Sequence, residues 1–374
     1  MRKDRWQTLM DRIEQEALDG IALVPGPNFY YMTGLRMGLS ERPTVCAVTR
    51  GGEVVFLMPK LEARKGETVA AALAEEGVGL TFSVLPFSDE EGPEQAFSEA
   101  FGASGKWGLE FRNMRLLEFS LMRQAMGDLQ WVDAGEIFKE MRMIKDETEL
   151  SSMEKACALA DLGADVARRL LGPGRTGAEV ALEVERVLKE KGAQSVGISL
   201  ATGVDTALPH AGTSRRPIVE GDIAWLDLTV SADGYWGDIT RTYAIGNISE
   251  ELRRIYHIVL EAQENARTKA KPGMTGAEVD ALAREVIESY GYGDFFVHRT
   301  GHGLGLEVHE DPYVVASNKV PLPIGSVFTI EPGIYLPGKG GVRIEDDVVL
   351  TPKGPRSLTS YPRNLLDEET KLVV

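Results

Sequence analysis

The chain has 374 residues, ordinary apolar and charged fractions, and a formal net charge of −16. This length favours two domains, and the negative charge argues against nucleic acid or an anionic membrane as the main partner. No apolar run is long enough to span a bilayer and no segment has signal-peptide character, so we expect a cytoplasmic protein with no membrane partner.

Residues 1–140 alternate between helical and strand patterns. The charged N-terminal stretch predicts an amphipathic helix, and apolar runs predict strands at 20–25, 44–50, 53–59 and 79–87. Gly51 and Gly52 separate two of these runs as a hairpin turn would. No catalytic constellation occurs here, so we interpret this half as a scaffold, an oligomerisation unit or a wall for a site elsewhere. The only cysteines, Cys46 and Cys157, lie in apolar segments and are interpreted as reduced core thiols.

The second predicted domain, 141–374, contains an internal repeat. PGRTGAEV at 173–180 returns as PGMTGAEV at 272–279, with seven of eight residues identical. Each copy predicts a helix start with a capping box, Thr176 with Glu179 and Thr275 with Glu278. We therefore expect two similar α-then-β halves, with a ligand crevice between them.

Four carboxylates sit on predicted strands of this domain. A hairpin over 221–246 would bring Asp227 close to Asp238. Glu331 ends an apolar strand before a Pro–Gly turn, and Glu345 is predicted to share a strand face with Arg343 and Asp347. Each acid alone could be an ordinary surface, turn or ion-pair residue.

Together these acids favour a metal site. Clustered carboxylates raise one another's pKa unless cations balance them, and Arg343 alone cannot balance four. Two divalent cations would do so, with His302 as a nitrogen ligand. The glycines flanking His302 are predicted to let the backbone approach the metals.

Five motifs in order carry a family resemblance: TALPH (206–210), LDLTVSADGYWGDITRT (226–242), TGHGLGLEVHE (300–310), FTIEPGIY (328–335) and GVRIEDD (341–347). The chain resembles the pita-bread metallopeptidases, the group of prolidase, aminopeptidase P and creatinase. The resemblance implies a creatinase-type α/β N-terminal domain followed by a pseudo-twofold, α+β pita-bread catalytic domain.

The resemblance also implies roles for individual residues. The metal ligands would be Asp227, Asp238, His302, Glu331 and Glu345, with Asp238 and Glu345 bridging two ions, most often manganese or cobalt, with zinc or iron as alternatives. A water activated by the metals would attack the substrate, and Glu331 would transfer protons. His210 and His309 would hold the substrate and its oxyanion, and Arg343 would lie beside a bridging glutamate.

The resemblance implies hydrolysis of Xaa-Pro bonds in small peptides with proline at the second position, by a homodimer. A dipeptidase is favoured, with an aminopeptidase P as the alternative; intact ligands argue against a metal-free creatinase-like hydrolase or a non-catalytic binding protein. Methionine aminopeptidases usually lack such an N-terminal domain. Archaeal dipeptidases tend to carry an arginine after VHE that clamps the substrate carboxylate, whereas this chain has Tyr313. His298 is left open between supporting and incidental, and His257 is interpreted as structural or solvated.

Overall fold

The computed structural model describes residues 2–101, 105–127 and 130–365, and the chain divides into two compact units, Met1–Met141 and Arg142–Val374. The end of the predicted second domain, 366–374, lies outside the described residues. No helix within the described ranges combines the length and apolarity needed to cross a lipid bilayer.

The first unit is built on one mixed six-stranded sheet with the strand order β4-β3-β2-β1-β5-β6. Its strands are β1 (Gly20–Leu23), β2 (Val45–Thr49), β3 (Glu53–Pro59), β4 (Thr81–Phe87), β5 (Lys106–Leu109) and β6 (Gln130–Asp133). Its helices are α1 (Arg2–Gln15), α2 (Pro27–Thr33), α3 (Ala63–Glu75), α4 (Glu94–Ala100), α5 (Leu116–Met126) and α6 (Gly135–Met143), the last running into the second unit.

The strands, helix and turn predicted for this unit are confirmed. The four predicted strands and the N-terminal helix are present, and β2 and β3 pair antiparallel across the glycine turn. Gly52 in that turn has a φ of 84°, a value that favours glycine. Trp6, Leu9 and Ile13 form the buried face of α1 because they recur at helical spacing.

As far as Leu365, the second unit contains two long helix pairs and three sheets. Its helices are α7 (Glu147–Leu170), α8 (Gly177–Glu190), α9 (Glu250–Lys269) and α10 (Gly276–Ser289). Its strands are β7 (Ser195–Thr202), β8 (Ile223–Ala232), β9 (Tyr235–Ala244), β10 (Gly301–Gly303), β11 (Glu310–Val314), β12 (Val327–Ile330), β13 (Gly333–Leu336), β14 (Gly340–Arg343), β15 (Asp346–Thr351) and β16 (Gly354–Ser357). The sheets have the orders β7-β8-β9, β11-β10-β12-β15-β16 and β13-β14.

The sequence repeat occupies equivalent positions in the two halves of this unit. Both predicted capping boxes are confirmed, at the starts of α8 and α10. Thr176 forms an isolated bridge with Pro217, and Thr275 forms the matching bridge with Pro321. The repeated sequence therefore marks a repeated junction, at which a helix start is tied to a later strand-like segment.

The prediction that Arg343, Glu345 and Asp347 share the face of one strand is wrong. β14 ends at Arg343 and β15 begins at Asp346, and the two strands belong to different sheets. The break places Arg343 and Glu345 on the wall of a cavity, while Asp347 is fully buried and lies outside that wall. Asp347 therefore does not share the environment of Glu345, as the alternation of a continuous strand would require.

The capping boxes make a testable contribution to stability. In each box the threonine hydroxyl accepts a hydrogen bond from the glutamate backbone N–H, at 3.1 Å for Thr176 and 3.2 Å for Thr275. We expect Thr176→Ala and Thr275→Ala each to lower the free energy of unfolding by about 0.5–2 kcal/mol, measured by urea denaturation. Thr→Ser at the same positions keeps the acceptor oxygen and should retain most of the stability; equal losses for serine and alanine would contradict the capping role.

Candidate active site

The β8–β9 hairpin carries the two aspartates. Asp227 lies opposite Thr240, and Thr229 lies opposite Asp238, so the aspartates are two positions apart on neighbouring strands. Residues directly opposite on an antiparallel pair share a face, and the i, i+2 alternation places both carboxylates on that same face. The predicted proximity of Asp227 and Asp238 is confirmed, and both line one cavity.

His302, Glu331 and Glu345 reach the same cavity from the second half. His302 is in β10, and its Nε2 lies 3.3 Å from Glu331 Oε1 and 3.9 Å from Asp238 Oδ2. Thr329 donates a hydrogen bond to Glu331 at 3.1 Å, and Thr240 donates one to Glu345 at 2.6 Å. Each glutamate is thus oriented by a threonine hydroxyl.

The glycines beside His302 are required by the packing of neighbouring backbone. A Cβ on Gly301 would clash with the carbonyl oxygen of Thr329, and a Cβ on Gly303 would clash with that of Asp311. These glycines make room for neighbouring backbone, so they serve strand packing around His302. The prediction that they admit close approach of metals is not needed to explain them.

Three of the grouped side chains have the arrangement of a metal site. Asp238, His302 and Glu345 are buried, and each offers a ligand atom within 4.8 Å of those of the other two. Asp238 Oδ1 is buried and has no hydrogen-bond partner among the described residues. Because an unpaired buried carboxylate oxygen is costly, this atom fits a position next to a cation.

The electrostatics of the cluster favour neutral side chains when no cation is present. Burial, followed by the charges of Asp227, Asp347 and Glu331, raises the pKa of Asp238 well above its usual value. Burial and the neighbouring acids do the same for Glu345, and burial raises the pKa of Glu331 to about 7. Burial and His309 lower the pKa of His302 to about 3. The cluster therefore lacks positive charge.

Arg343 carries a positive charge beside these acids, and its N–H groups donate to acceptors of the protein itself. It donates to Asp227 at 2.7 Å, to the Tyr335 hydroxyl at 2.8 Å and to Thr240 at 3.1 Å. It also donates to the Pro209 carbonyl and stacks over the Trp225 ring. Burial lowers the pKa of Arg343, but Tyr335 and the acids outweigh that effect and hold it above its usual value. Its ion pair is with Asp227, and it shares Thr240 as a hydrogen-bond partner with Glu345.

His298 belongs to the same network. Its Nε2 lies 2.9 Å from the Tyr335 hydroxyl, and its Nδ1 lies 2.7 Å from the Arg299 carbonyl oxygen. A carbonyl can only accept, so Nδ1 carries the proton and the tyrosine hydroxyl donates to Nε2. Burial lowers the pKa of His298 to about 4, which agrees with a neutral ring. The open question about His298 is answered in favour of a supporting position in the cavity wall.

His210 and His309 line the cavity and are exposed. The ring of His309 is centred 4.2 Å from that of His302, and burial together with Arg299 lowers the pKa of His309. The cavity measures about 570 Å³, which is enough for a small peptide. His257 is an exposed residue of α9 outside this cavity, in line with its solvated interpretation.

Several supporting residues were not found from the sequence. Asp347 lies behind the cavity, where it accepts hydrogen bonds from the Asp238 backbone N–H at 2.8 Å and from the Cys157 thiol at 3.2 Å. The buried Cys157 is free, as predicted, but it also contacts the site. Tyr335 and Arg299 were missed as well. Of these residues, only Tyr335 had a possible signal in the sequence, because it lies four residues after the proposed ligand Glu331.

Comparison with known proteins agrees with this geometry. The model of metallopeptidase family M24 matches residues 151–352, and that of the creatinase/prolidase N-terminal domain matches residues 5–144. An Xaa-Pro dipeptidase from Pyrococcus furiosus is 35% identical over 97% of this chain and 100% of its own length.

Two solved structures extend the similarity to the fold. A dipeptidase from Pyrococcus horikoshii OT3 has a TM-score of 0.88 at 36% identity, covering 98% of this chain and 99% of that one. An X-Pro aminopeptidase from Thermotoga maritima MSB8 has a TM-score of 0.81 at 31% identity, covering 96% and 99%. The predicted fold class is confirmed. The chain belongs to metallopeptidase family M24, with a creatinase/prolidase-type N-terminal domain before its catalytic domain.

Proposed function

We propose that this metallopeptidase hydrolyses the Xaa-Pro bond of dipeptides. The observation that carries the proposal is one cavity lined by five metal-ligand-type side chains, with two exposed histidines on the same wall. The similarity over nearly the full chain to proteins named Xaa-Pro dipeptidase supports this choice of substrate.

The proposed metal ligands are Asp227, Asp238, His302, Glu331 and Glu345. Their oxygen-rich set with one imidazole suits Mn²⁺ or Co²⁺, with Zn²⁺ or Fe²⁺ as alternatives. When bound, two divalent cations supply the charge that polarises the scissile carbonyl and lowers the pKa of the attacking water. The unpaired Asp238 Oδ1 and the shortage of positive charge support this assignment.

The protein's own groups then position substrate and protons. Glu331 is the proposed proton acceptor and donor; it projects into the cavity and is held by Thr329. His210 and His309 would donate hydrogen bonds to the carbonyl oxygen as it gains negative charge. Arg343 would keep Asp227 oriented through their ion pair.

The alternative is an Xaa-Pro aminopeptidase acting on longer peptides, and the similar Thermotoga structure keeps it open. A creatinase-like hydrolase and a non-catalytic protein fit less well because all five ligand-type residues are present. The homodimer and the cytoplasmic location remain predictions.

Substrate choice is the first test. We expect the Mn²⁺-reconstituted protein to hydrolyse Ala-Pro and to act far more slowly on Ala-Ala and on acetyl-Ala-Pro, which lacks a free amino group. Values of kcat/KM from chromatographic measurement of the substrate consumed decide this, and Ala-Pro-Ala is included to separate dipeptidase from aminopeptidase. A strong preference for the tripeptide would assign the aminopeptidase activity, whereas inactivity on both proline peptides would overturn the proposal.

Metal content should separate ligands from substrate-holding residues. After chelation and reloading with Mn²⁺, we expect about two ions per chain in the wild type, as a two-metal site requires. His302→Ala should lose metal. His309→Ala should keep it and lose turnover by roughly 10²–10³-fold, as for removal of one oxyanion donor. His257→Ala, on the exposed face of α9, is the matched control; metal loss in His309→Ala but not in His302→Ala would reverse the two roles.

The raised pKa of Glu331 predicts a pH-dependent stability. Its native pKa of about 7 lies above the ordinary 4.5, so ionisation penalises the metal-free native state. The penalty is complete above pH 7 and disappears as the pH falls through this range to 4.5. Metal-free Glu331→Gln should therefore be more stable than metal-free wild type near pH 8, by on the order of 1–3 kcal/mol, and should lose this advantage near pH 5.

Urea denaturation in the presence of chelator measures the difference between the two proteins. Glu285→Gln, at an exposed position outside the cavity, controls for the loss of one negative charge. An advantage of Glu331→Gln that is the same at both pH values would contradict the interpretation, since a neutral glutamine cannot titrate.

A further inference from the structure

The cavity contains a second arginine that the proposed chemistry does not use. Arg299 is half-buried in the cavity wall, on the segment that leads into β10. Its guanidinium makes no hydrogen bond or ion pair with any described residue, and it stacks on the ring of Tyr313, centred 4.6 Å from Cζ. Its donors are therefore free to bind a ligand, unlike those of Arg343.

The backbone around Arg299 is anchored by hydrogen bonds, although its guanidinium makes none with the described residues. The Arg299 carbonyl accepts from His298, and the Arg284 guanidinium donates to the carbonyls of Phe296 and His298 at 3.1 and 2.9 Å. Thr300 donates from its backbone N–H and its hydroxyl to Asp280. An arginine on anchored backbone, with unused donors, is prepared to bind an anion at low entropic cost.

Tyr313 holds this arginine from the neighbouring strand. It lies opposite His302 in the β10–β11 pairing, and opposite residues project from the same face. Its ring can therefore stack on Arg299 beside the metal-site histidine. A cation–π contact orients the guanidinium plane while leaving its N–H groups available.

The size of a dipeptide determines which group meets Arg299. One residue spans about 3.3–3.6 Å of extended chain, so the terminal carboxylate of Xaa-Pro lies within one residue of the scissile bond. That carboxylate enters the cavity with the reacting carbonyl. It approaches a wall rich in carboxylates, where an unpaired anion is strongly disfavoured. Within the described part of the wall the arginines are Arg343, which is fully engaged, and Arg299.

We propose that Arg299, stacked on Tyr313, binds the C-terminal carboxylate of the dipeptide substrate. The inference rests on the proposed function and specifies its substrate class: peptides whose carboxylate follows the proline directly. It also gives Tyr313 a purpose at the position where archaeal dipeptidases tend to have an arginine. Tyr313 acts here as a positioning residue.

The test compares Ala-Pro with Ala-Pro amide, which lacks only the carboxylate charge. We expect wild-type kcat/KM to be higher for Ala-Pro, and Arg299→Gln to lower it for Ala-Pro by roughly 10–100-fold, as for loss of a charge-assisted hydrogen bond. The loss should lie mainly in KM and leave the amide nearly unaffected. Arg299→Lys should recover part of the loss. Equal effects on both substrates, or no effect on either, would overturn the proposal.

Two further variants complete the design. Tyr313→Leu should raise KM for Ala-Pro, and Tyr313→Phe, which keeps the ring, should not; a matching effect of both would contradict the positioning role. Arg254→Gln is the matched control, because Arg254 also stacks on a tyrosine, Tyr292, with Cζ 5.9 Å from its ring centre and outside the cavity.

A binding measurement keeps this inference separate from the proposed function. Calorimetry with L-proline and prolinamide needs no turnover. Proline binding that Arg299→Gln weakens, with prolinamide binding unchanged, supports the carboxylate site even if Ala-Pro is not hydrolysed, in which case only the proposed function fails. Hydrolysis of Ala-Pro with proline binding insensitive to Arg299→Gln would overturn the carboxylate site alone.

Discussion

The crowding of carboxylates in a buried cavity is the constraint on which the site depends. Asp238 and Glu345 are almost completely buried, and burial followed by the charges of neighbouring acids raises the pKa of both. The guanidinium of Arg343 offsets part of the repulsion between these carboxylates, but its ion pair is with Asp227. The carboxylates can relieve this repulsion in two ways. They can bind protons and lose their negative charge, or they can bind metal cations and stay ionised as ligands. A protein that folds around such a cluster has its affinity for divalent cations built into its electrostatics.

The polar groups surrounding the cluster restrict where its side chains can point. Thr240 serves both Glu345 and Arg343, and Tyr335 joins Arg343 to His298. Behind the wall, Asp347 fixes the backbone at Asp238. Ligand positions in metal sites depend on such partners, because a carboxylate or imidazole held by one bond to its own chain would rotate freely.

The sequence was informative where chemistry and local pattern coincide. The β8–β9 hairpin, the helix caps and the grouping of Asp227, Asp238, His302, Glu331 and Glu345 followed from alternation, spacing and the resemblance. Local pattern did not predict the strand break between Arg343 and Asp346. Alternation of residue types along the chain does not show where one strand ends and the next joins a different sheet. It did not show that the glycines around His302 make room for Thr329 and Asp311, because that approach depends on tertiary packing. Arg299 was missed for a similar reason, because the sequence cannot show that its guanidinium lacks a hydrogen-bond acceptor among the described residues.

The repeated helix start leads to a conclusion about the origin of the chemistry. The two halves share the cap and its bridge to a proline, but the β8–β9 half contributes two aspartates while the other contributes an imidazole and two glutamates. The proposed ligands are therefore divided unequally: one half supplies only carboxylates to the set, and the other supplies its single imidazole. Symmetry in this unit belongs to the scaffold, and the proposed ligand set does not follow it.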